Sequence, residues 1–224
     1  GGGARSLEMW RRLQRAVDRC DDEKNRDDVY QGVVRRDALL INDDPYASLP
    51  PDDMKERIST KYNSIMKSVL KPYGVPFEMF KTLLTNHSAY HAGGSIARIA
   101  VSSQQQEKEL IRSIVLGSID LDLYVASTHH LDMIKTLLSM GFELHRTQHS
   151  SVYDRSFMRR NDIIMLLRFR LPHRSCHWSR LRVDLMIVRD PKTPLEVVNN
   201  FDLSCCEIWY DGETVDMKDE TSFK

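Results

Sequence analysis

With 224 residues, 32 Lys and Arg against 32 Asp and Glu, and 41% hydrophobic residues, the chain can bury a sizeable core but has no net charge, so no global attraction to nucleic acid or membrane follows. No apolar run reaches the roughly 18 residues that span a bilayer, and no apolar stretch behind the N-terminus has the form of a secretory leader. Four cysteines in a chain this long do not make a disulfide scaffold, so the expectation is a soluble, intracellular protein in a reducing compartment.

Residues 5–20 place Leu7, Trp10, Leu13, Val17 and Cys20 on one helical face, the pattern of an amphipathic helix. The charged run DDEKNRDD (21–28) reads as a solvated linker or exposed helix face, and INDDPYASLPPDD (41–53) as a loop. A helix follows with apolar positions Met54, Ile58, Tyr62, Ile65, Met66 and Val69, stopped by Pro72, Gly74 and Pro76. A shorter one carries Phe77, Phe80 and Leu84. Residues 1–86 therefore read as an N-terminal helical segment, and residues 87–224 as a second unit of different character.

In that second unit AYHA (89–92) is a short strand ending in Gly93-Gly94-Ser95, and IARIAV begins a helix. SSQQQEKE (102–109) reads as an exposed polar excursion. A strand over 119–125 precedes a helix over 129–140, with Leu131, Ile134, Leu137 and Leu138 apolar and Gly141 closing it. GFELHR, DIIMLLRFRL (162–171) and LRVDLMIV (181–188) are strand candidates. Thr193 and Pro194 suit the N-cap and first position of a short helix. Asp211-Gly212, between two alternating runs, signals a hairpin. Helices first, then a mixed sheet with interspersed helices, gives an α+β class.

The strand 119–125 holds the chemistry. Side chains alternate along a strand, so Asp120 and Asp122 share the face opposite Ile119, Leu121, Leu123 and Val125, roughly 6.6 Å apart. Alone, such a pair is most often a solvated strand face. Asp184, however, lies inside a second apolar strand, where a lone carboxylate is costly. Pairing of that strand beside 119–125 would complete a three-carboxylate cluster. A divalent cation relieves the repulsion, and Mg²⁺ prefers one or two carboxylates plus phosphate oxygens. Upstream, Gly93-Gly94-Ser95 at a strand-to-helix junction offers close backbone approach and N–H groups to phosphate.

Together, Gly93-Gly94-Ser95, Asp120-x-Asp122 and Asp184 resemble the nucleotidyltransferase superfamily typified by DNA polymerase β, where an apolar residue with G-[GS] precedes a D-h-D-h strand and a third carboxylate. Over about residues 87–212, YHAGGSIARI and GSIDLDLYV are similar to the head domain of CCA-adding enzymes and bacterial poly(A) polymerases, and to nucleotidyltransferase-like proteins of viruses and fungi. The resemblance implies a nucleotidyltransferase-like mixed sheet flanked by helices. It implies template-independent transfer of a nucleoside monophosphate from an NTP to a hydroxyl, an RNA end among the acceptors. Mg²⁺ or Mn²⁺ would be held by Asp120, Asp122 and Asp184, with Asp184 helping to activate the hydroxyl. Gly93, Gly94 and Ser95 would hold the triphosphate, and Ser118 offers a further hydrogen bond to phosphate. The chain departs from that pattern in a longer gap between Ser95 and Asp120, which SSQQQEKE would fill as an insertion, and in Asn199-Asn200 standing for an arginine pair. The alternative is a catalytically silent nucleotidyltransferase-fold subunit that binds RNA in a ribonucleoprotein assembly.

Two further clusters stand out. Eight arginines lie between 155 and 182 against the single acid Asp162. Arg159, Arg160 and Arg174, at loop positions, are candidates for nucleic-acid contact, the alternative being a solvated face paired with the acidic segments 21–28 and 43–53. His173, Cys176 and His177, with Cys205 and Cys206, have ligand types that suit zinc but no matching spacing, and a loop is the better reading.

Overall fold

The computed structural model describes residues 51–149, 162–173, 179–201 and 207–218; the helix expected over 5–20 and the charged run 21–28 lie outside them. In chain order the elements are α1 (Pro51–Leu70), α2 (Phe77–Asn86), β1 (Tyr90–Ala92), α3 (Gly94–Val101), α4 (Gln104–Val115), β2 (Leu121–Ala126), α5 (His130–Ser139), β3 (Glu143–His149), β4 (Ile163–Pro172), β5 (Arg180–Val188), α6 (Pro194–Val198), β6 (Ile208–Tyr210) and β7 (Val215–Met217). The strands form one seven-stranded sheet in the order β3-β4-β5-β2-β1-β6-β7. β2 and β5 run parallel and the other neighbours antiparallel. The class is α+β, a mixed sheet flanked by helices, as the order of elements predicts.

All six apolar positions expected on α1 are buried. The helix begins at Pro51, inside the predicted loop, since a first-turn proline lacks an N–H that would have had no partner there. It gives way to a short 3₁₀ turn (Lys71–Tyr73), which Gly74 ends in the left-handed region at φ 69°. α1 and α2 belong to the same apolar core as one face of the sheet, where Leu121, Leu123 and Val125 of β2 meet Leu167, Phe169 and Leu171 of β4 and Leu181, Val183, Leu185 and Ile187 of β5. α1 also reaches the far edge, where Ser59 Oγ accepts a 2.8 Å hydrogen bond from the Val215 N–H of β7.

Two expectations are corrected. The polar run 102–109 is no excursion but the start of α4, opened by a capping box in which Ser103 N–H donates to Gln106 Oε1 at 2.8 Å. The helix then buries Leu110 and Ile114, so the polar run is its solvent face. On α5 the buried positions are Met133 and Leu137, whereas Leu131 and Leu138 are 62% and 49% exposed. One turn separates Met133 from Leu137, and with Ile134 partly buried beside them the helix packs a narrow stripe on the core.

The predicted hairpin is present, with a four-residue loop, since Tyr210 pairs with Val215. Asp211 Oδ1 accepts from the Glu213 and Thr214 N–H groups at 2.7 and 2.8 Å, and Gly212 takes φ 105°. A Cβ on Gly212 would stand 2.6 Å from Thr85 Cγ2 and 2.9 Å from the Lys81 carbonyl oxygen. Gly212→Ala should therefore lower stability by about 2 kcal/mol or more, a left-handed penalty of about 1–2 kcal/mol plus the clash with α2. Urea unfolding measures it, and an unchanged midpoint would show that the hairpin does not depend on this contact.

Candidate functional site

The second face of the sheet is apolar at one end only. There Ala92, Tyr124, Leu166, Met186, Val188 and Trp209 pack with Val197 and Val198 of α6, whose Thr193–Glu196 capping box follows the predicted Thr-Pro start. At the other end the same strands turn charged. The parallel register of β2 and β5 sets Asp122 directly beside Asp184, as the proposed strand pairing requires. Asp120 precedes β2 by one residue.

Arginines answer these carboxylates. Arg168 lies opposite Asp184 on β4 and clasps it with both arms of its fork, Nε to Oδ1 at 2.7 Å and Nη2 to Oδ2 at 2.5 Å. The same Nη2 is 3.6 Å from Asp120 Oδ2, and Arg182 Nε stands 2.6 Å from Asp120 Oδ1. Asp184 is only 4% exposed, so its charge needs this partner. Sequence reasoning missed Arg168 and Arg182 as counter-ions. Half the signal was visible, because strand alternation alone puts Arg182 and Asp184 on one face; the register that brings Arg168 across was not.

The glycine turn borders the cluster on its other side. β1 pairs with β2 so that Ala92 meets Asp122, and Gly93 follows at φ 92°. A Cβ on Gly93 would lie 3.2 Å from Asp122 Oδ2, whereas one on Gly94 would meet nothing within 4 Å. α3 starts at Gly94 without a side-chain cap. Ser95 is 2% exposed and its hydroxyl turns inward, 2.8 Å from His91 Nε2, while His91 Nδ1 is 2.6 Å from the Tyr62 hydroxyl of α1. This buried Tyr62–His91–Ser95 chain ties α1, β1 and α3 at the turn. Ser118 is exposed on the arginine side, in a turn held by Gly117 (φ 71°), whose Cβ position is 2.4 Å from the Arg180 carbonyl oxygen and 3.3 Å from Arg182 Cγ.

The structure thus sets Asp122 beside Asp184 and against Gly93, holds Asp120 against Arg168 and Arg182, directs Ser95 into the core, and leaves Ser118 exposed next to Gly117. Arg159, Arg160 and Arg174 lie outside the described residues, as do Cys176, His177, Cys205 and Cys206. His173 packs edge-on against Tyr73, centroids 5.4 Å apart. The donor set suits a hard cation, since carboxylate oxygens are what Mg²⁺ and Mn²⁺ take. Among the described residues no three His, Cys, Asp or Glu side chains stand together as a ready ligand group; Arg168 lies between Asp120 and Asp184. No protein-family model matches the chain, and no curated protein matches its sequence.

Burial pushes the His91 imidazole down to about 3 from its ordinary 6.5, so it stays neutral in the folded protein. Below pH 6.5 the unfolded chain takes up a proton that the native state refuses. His91 therefore weakens the fold as pH falls from about 6.5 toward 3, with a slope of about 1.4 kcal/mol per pH unit. His91→Gln, which keeps hydrogen-bonding capacity, should remove that part of the acid sensitivity. Urea unfolding of both proteins at several pH values tests this; parallel pH profiles would contradict the assignment.

Proposed function

We propose that the charged end of this face is a nucleotidyltransferase centre, moving a nucleoside monophosphate from an NTP to a hydroxyl acceptor. The observation that supports it is the adjacency of Asp122 and Asp184, in register across a parallel strand pair, to a glycine turn with open space in front of Gly94. The uncapped N–H groups at the start of α3 donate to the triphosphate, where the local dipole favours anionic oxygens. Asp184 takes the proton as the acceptor oxygen bonds to the α-phosphorus, and the bond to the bridging oxygen breaks to release pyrophosphate. Mg²⁺ or Mn²⁺, held by Asp120, Asp122 and Asp184, would supply charge neutralisation at the attacking and leaving oxygens. Arg168 is placed to exchange Asp184 for a phosphate oxygen, a partner that its planar fork fits equally well.

A second reading is favoured by one observation. The two-armed Arg168–Asp184 pair already satisfies the buried carboxylate, and a satisfied buried pair needs no cation. That is the expectation for a catalytically silent binding subunit.

Three variants separate the readings. Gly94→Ala should leave thermal stability unchanged, because Gly94 is the first residue of α3, has no positive φ, and its added Cβ meets nothing within 4 Å among the described residues. It should nonetheless weaken binding of a non-hydrolysable NTP with Mg²⁺ in calorimetry. Asp184→Asn should reduce NTP transfer by about 10²-fold or more, and cost about 1–3 kcal/mol in stability. That lies below the range for a fully buried pair because Arg168 reaches solvent. Arg168→Met should melt lower without Mg²⁺ and recover with it. A silent subunit would show no Mg²⁺ response in the wild type or in Arg168→Met, and no NTP binding for Gly94→Ala to weaken.

A further inference from the structure

The charged end of the face carries more arginine than its carboxylates engage. Strand pairing sets Arg146 of β3 opposite Arg168, and Arg170 of β4 opposite Arg182 of β5. Arg180 lies two residues before Arg182, on the same face. Like charges placed directly across strands destabilise a sheet. Arg168 and Arg182 are engaged by Asp184 and Asp120. Arg146, Arg170 and Arg180 make no ion pair among the described residues, and neither does Glu143, which stands opposite Arg170. Desolvation and then the charges of Arg180, Arg182 and Arg168 push the Arg170 pKa below its ordinary value. His145 on β3 is lowered by desolvation and then by Arg170, Arg180, Arg168 and Arg146. An anion settling here would relieve all of these repulsions at once.

The position of the surplus says which anion. In the strand order β3-β4-β5-β2-β1, the arginines occupy β3, β4 and β5 on one side of Asp122 and Asp184, and the glycine turn follows β1 on the other. In-line displacement puts acceptor and leaving group on opposite sides of the transferred phosphorus. With the triphosphate tail on the glycine turn, the acceptor arrives across the arginines. Three adjacent strands span roughly 10 Å, more than one phosphate group covers, and the surface runs to β3, the edge strand among the described residues. A polynucleotide end carries both a hydroxyl and a chain of phosphates, and guanidinium forks suit phosphate.

We propose that Arg146, Arg170 and Arg180 hold the phosphate backbone of a single-stranded polynucleotide whose terminal hydroxyl is the acceptor. Its role as acceptor rests on the transferase reading; the polyanion surface does not. Fluorescence anisotropy with a short labelled single-stranded RNA, titrated with salt, tests it, with thermal melts alongside. The wild type should lose affinity with a slope of about 2 log units per log unit of salt or steeper, from about 0.7 for each of at least three phosphates. The triple variant Arg146→Thr, Arg170→Thr, Arg180→Thr should flatten that slope by about 2, with a melting temperature equal to or above wild type. Salt-insensitive RNA binding, a wild-type slope in the variant, or a variant that melts lower would each overturn the proposal. So would displacement of the RNA by an acidic peptide at equal charge concentration, which would make the partner a protein. RNA binding that meets these expectations in a protein that binds no NTP would sink the transferase reading and leave the surface standing.

Discussion

Parallel pairing of β2 with β5 is the constraint on which the polar face depends. It puts Asp122 and Asp184 in register, on the side of the sheet away from the main core. Two carboxylates held at strand spacing, roughly 5 Å, repel by about 3 kcal/mol at an effective dielectric of about 20. A chain that accepts such a pair must bring cations to it, and β4 does so by placing Arg168 opposite Asp184. The expectation from sequence was that repulsion would wait for a metal. In the structure the guanidiniums of Arg168 and Arg182 already answer Asp184 and Asp120. Any added cation there would compete with the internal Arg168 guanidinium.

The same strands explain why the cluster is compact. Along β5 the outward positions run Arg180, Arg182, Asp184, Met186 and Val188, and on antiparallel β4 they run Arg170, Arg168 and Leu166. On β2 Asp122 is followed by Tyr124. All three strands pass from charged to apolar at one level of the sheet, and α6 covers the apolar half through Val197 and Val198. Asp184 therefore sits at the border of a small second core. That location accounts for its burial and for the two-armed clasp, which a carboxylate in open solvent would not require.

Much of this was legible in the sequence, and what was not has identifiable causes. Period-two alternation located β2, β4 and β5, and with them which face Asp122 and Asp184 would share with Arg182. The Pro and Gly punctuation that closes α1 and the Thr193-Pro194 helix start are local signals and were readable as such. Cross-strand partners are not local. Nothing in RFR or RLRVD says which arginine meets which carboxylate until the register is known. The Tyr62–His91–Ser95 chain was hidden for the same reason, since it joins residues of three elements and His91 reads as an ordinary strand residue. The start of α4 was different. Ser103 and Gln106 carry a capping-box spacing that was present in the sequence and was outweighed by polar composition.

The two glycines of the turn differ in what they disclose. Gly93 is explained by the chain itself, through its left-handed φ of 92° and the Asp122 carboxylate that a Cβ would crowd at 3.2 Å. Gly94 has neither reason, since its Cβ position faces open space. Its smallness serves no neighbour among the described residues, so the start of α3 is open on that side. Ser95 behind it is oriented from within. Desolvation raises the Tyr62 pKa well above its usual range, so the phenol keeps its proton beside His91 Nδ1. A neutral imidazole has one N–H and one bare nitrogen, so His91 donates at one end of the chain and accepts at the other, between the Tyr62 and Ser95 hydroxyls. In this way a buried hydrogen-bond chain, neutral at physiological pH, holds the first turn of α3 in one arrangement beside the carboxylates.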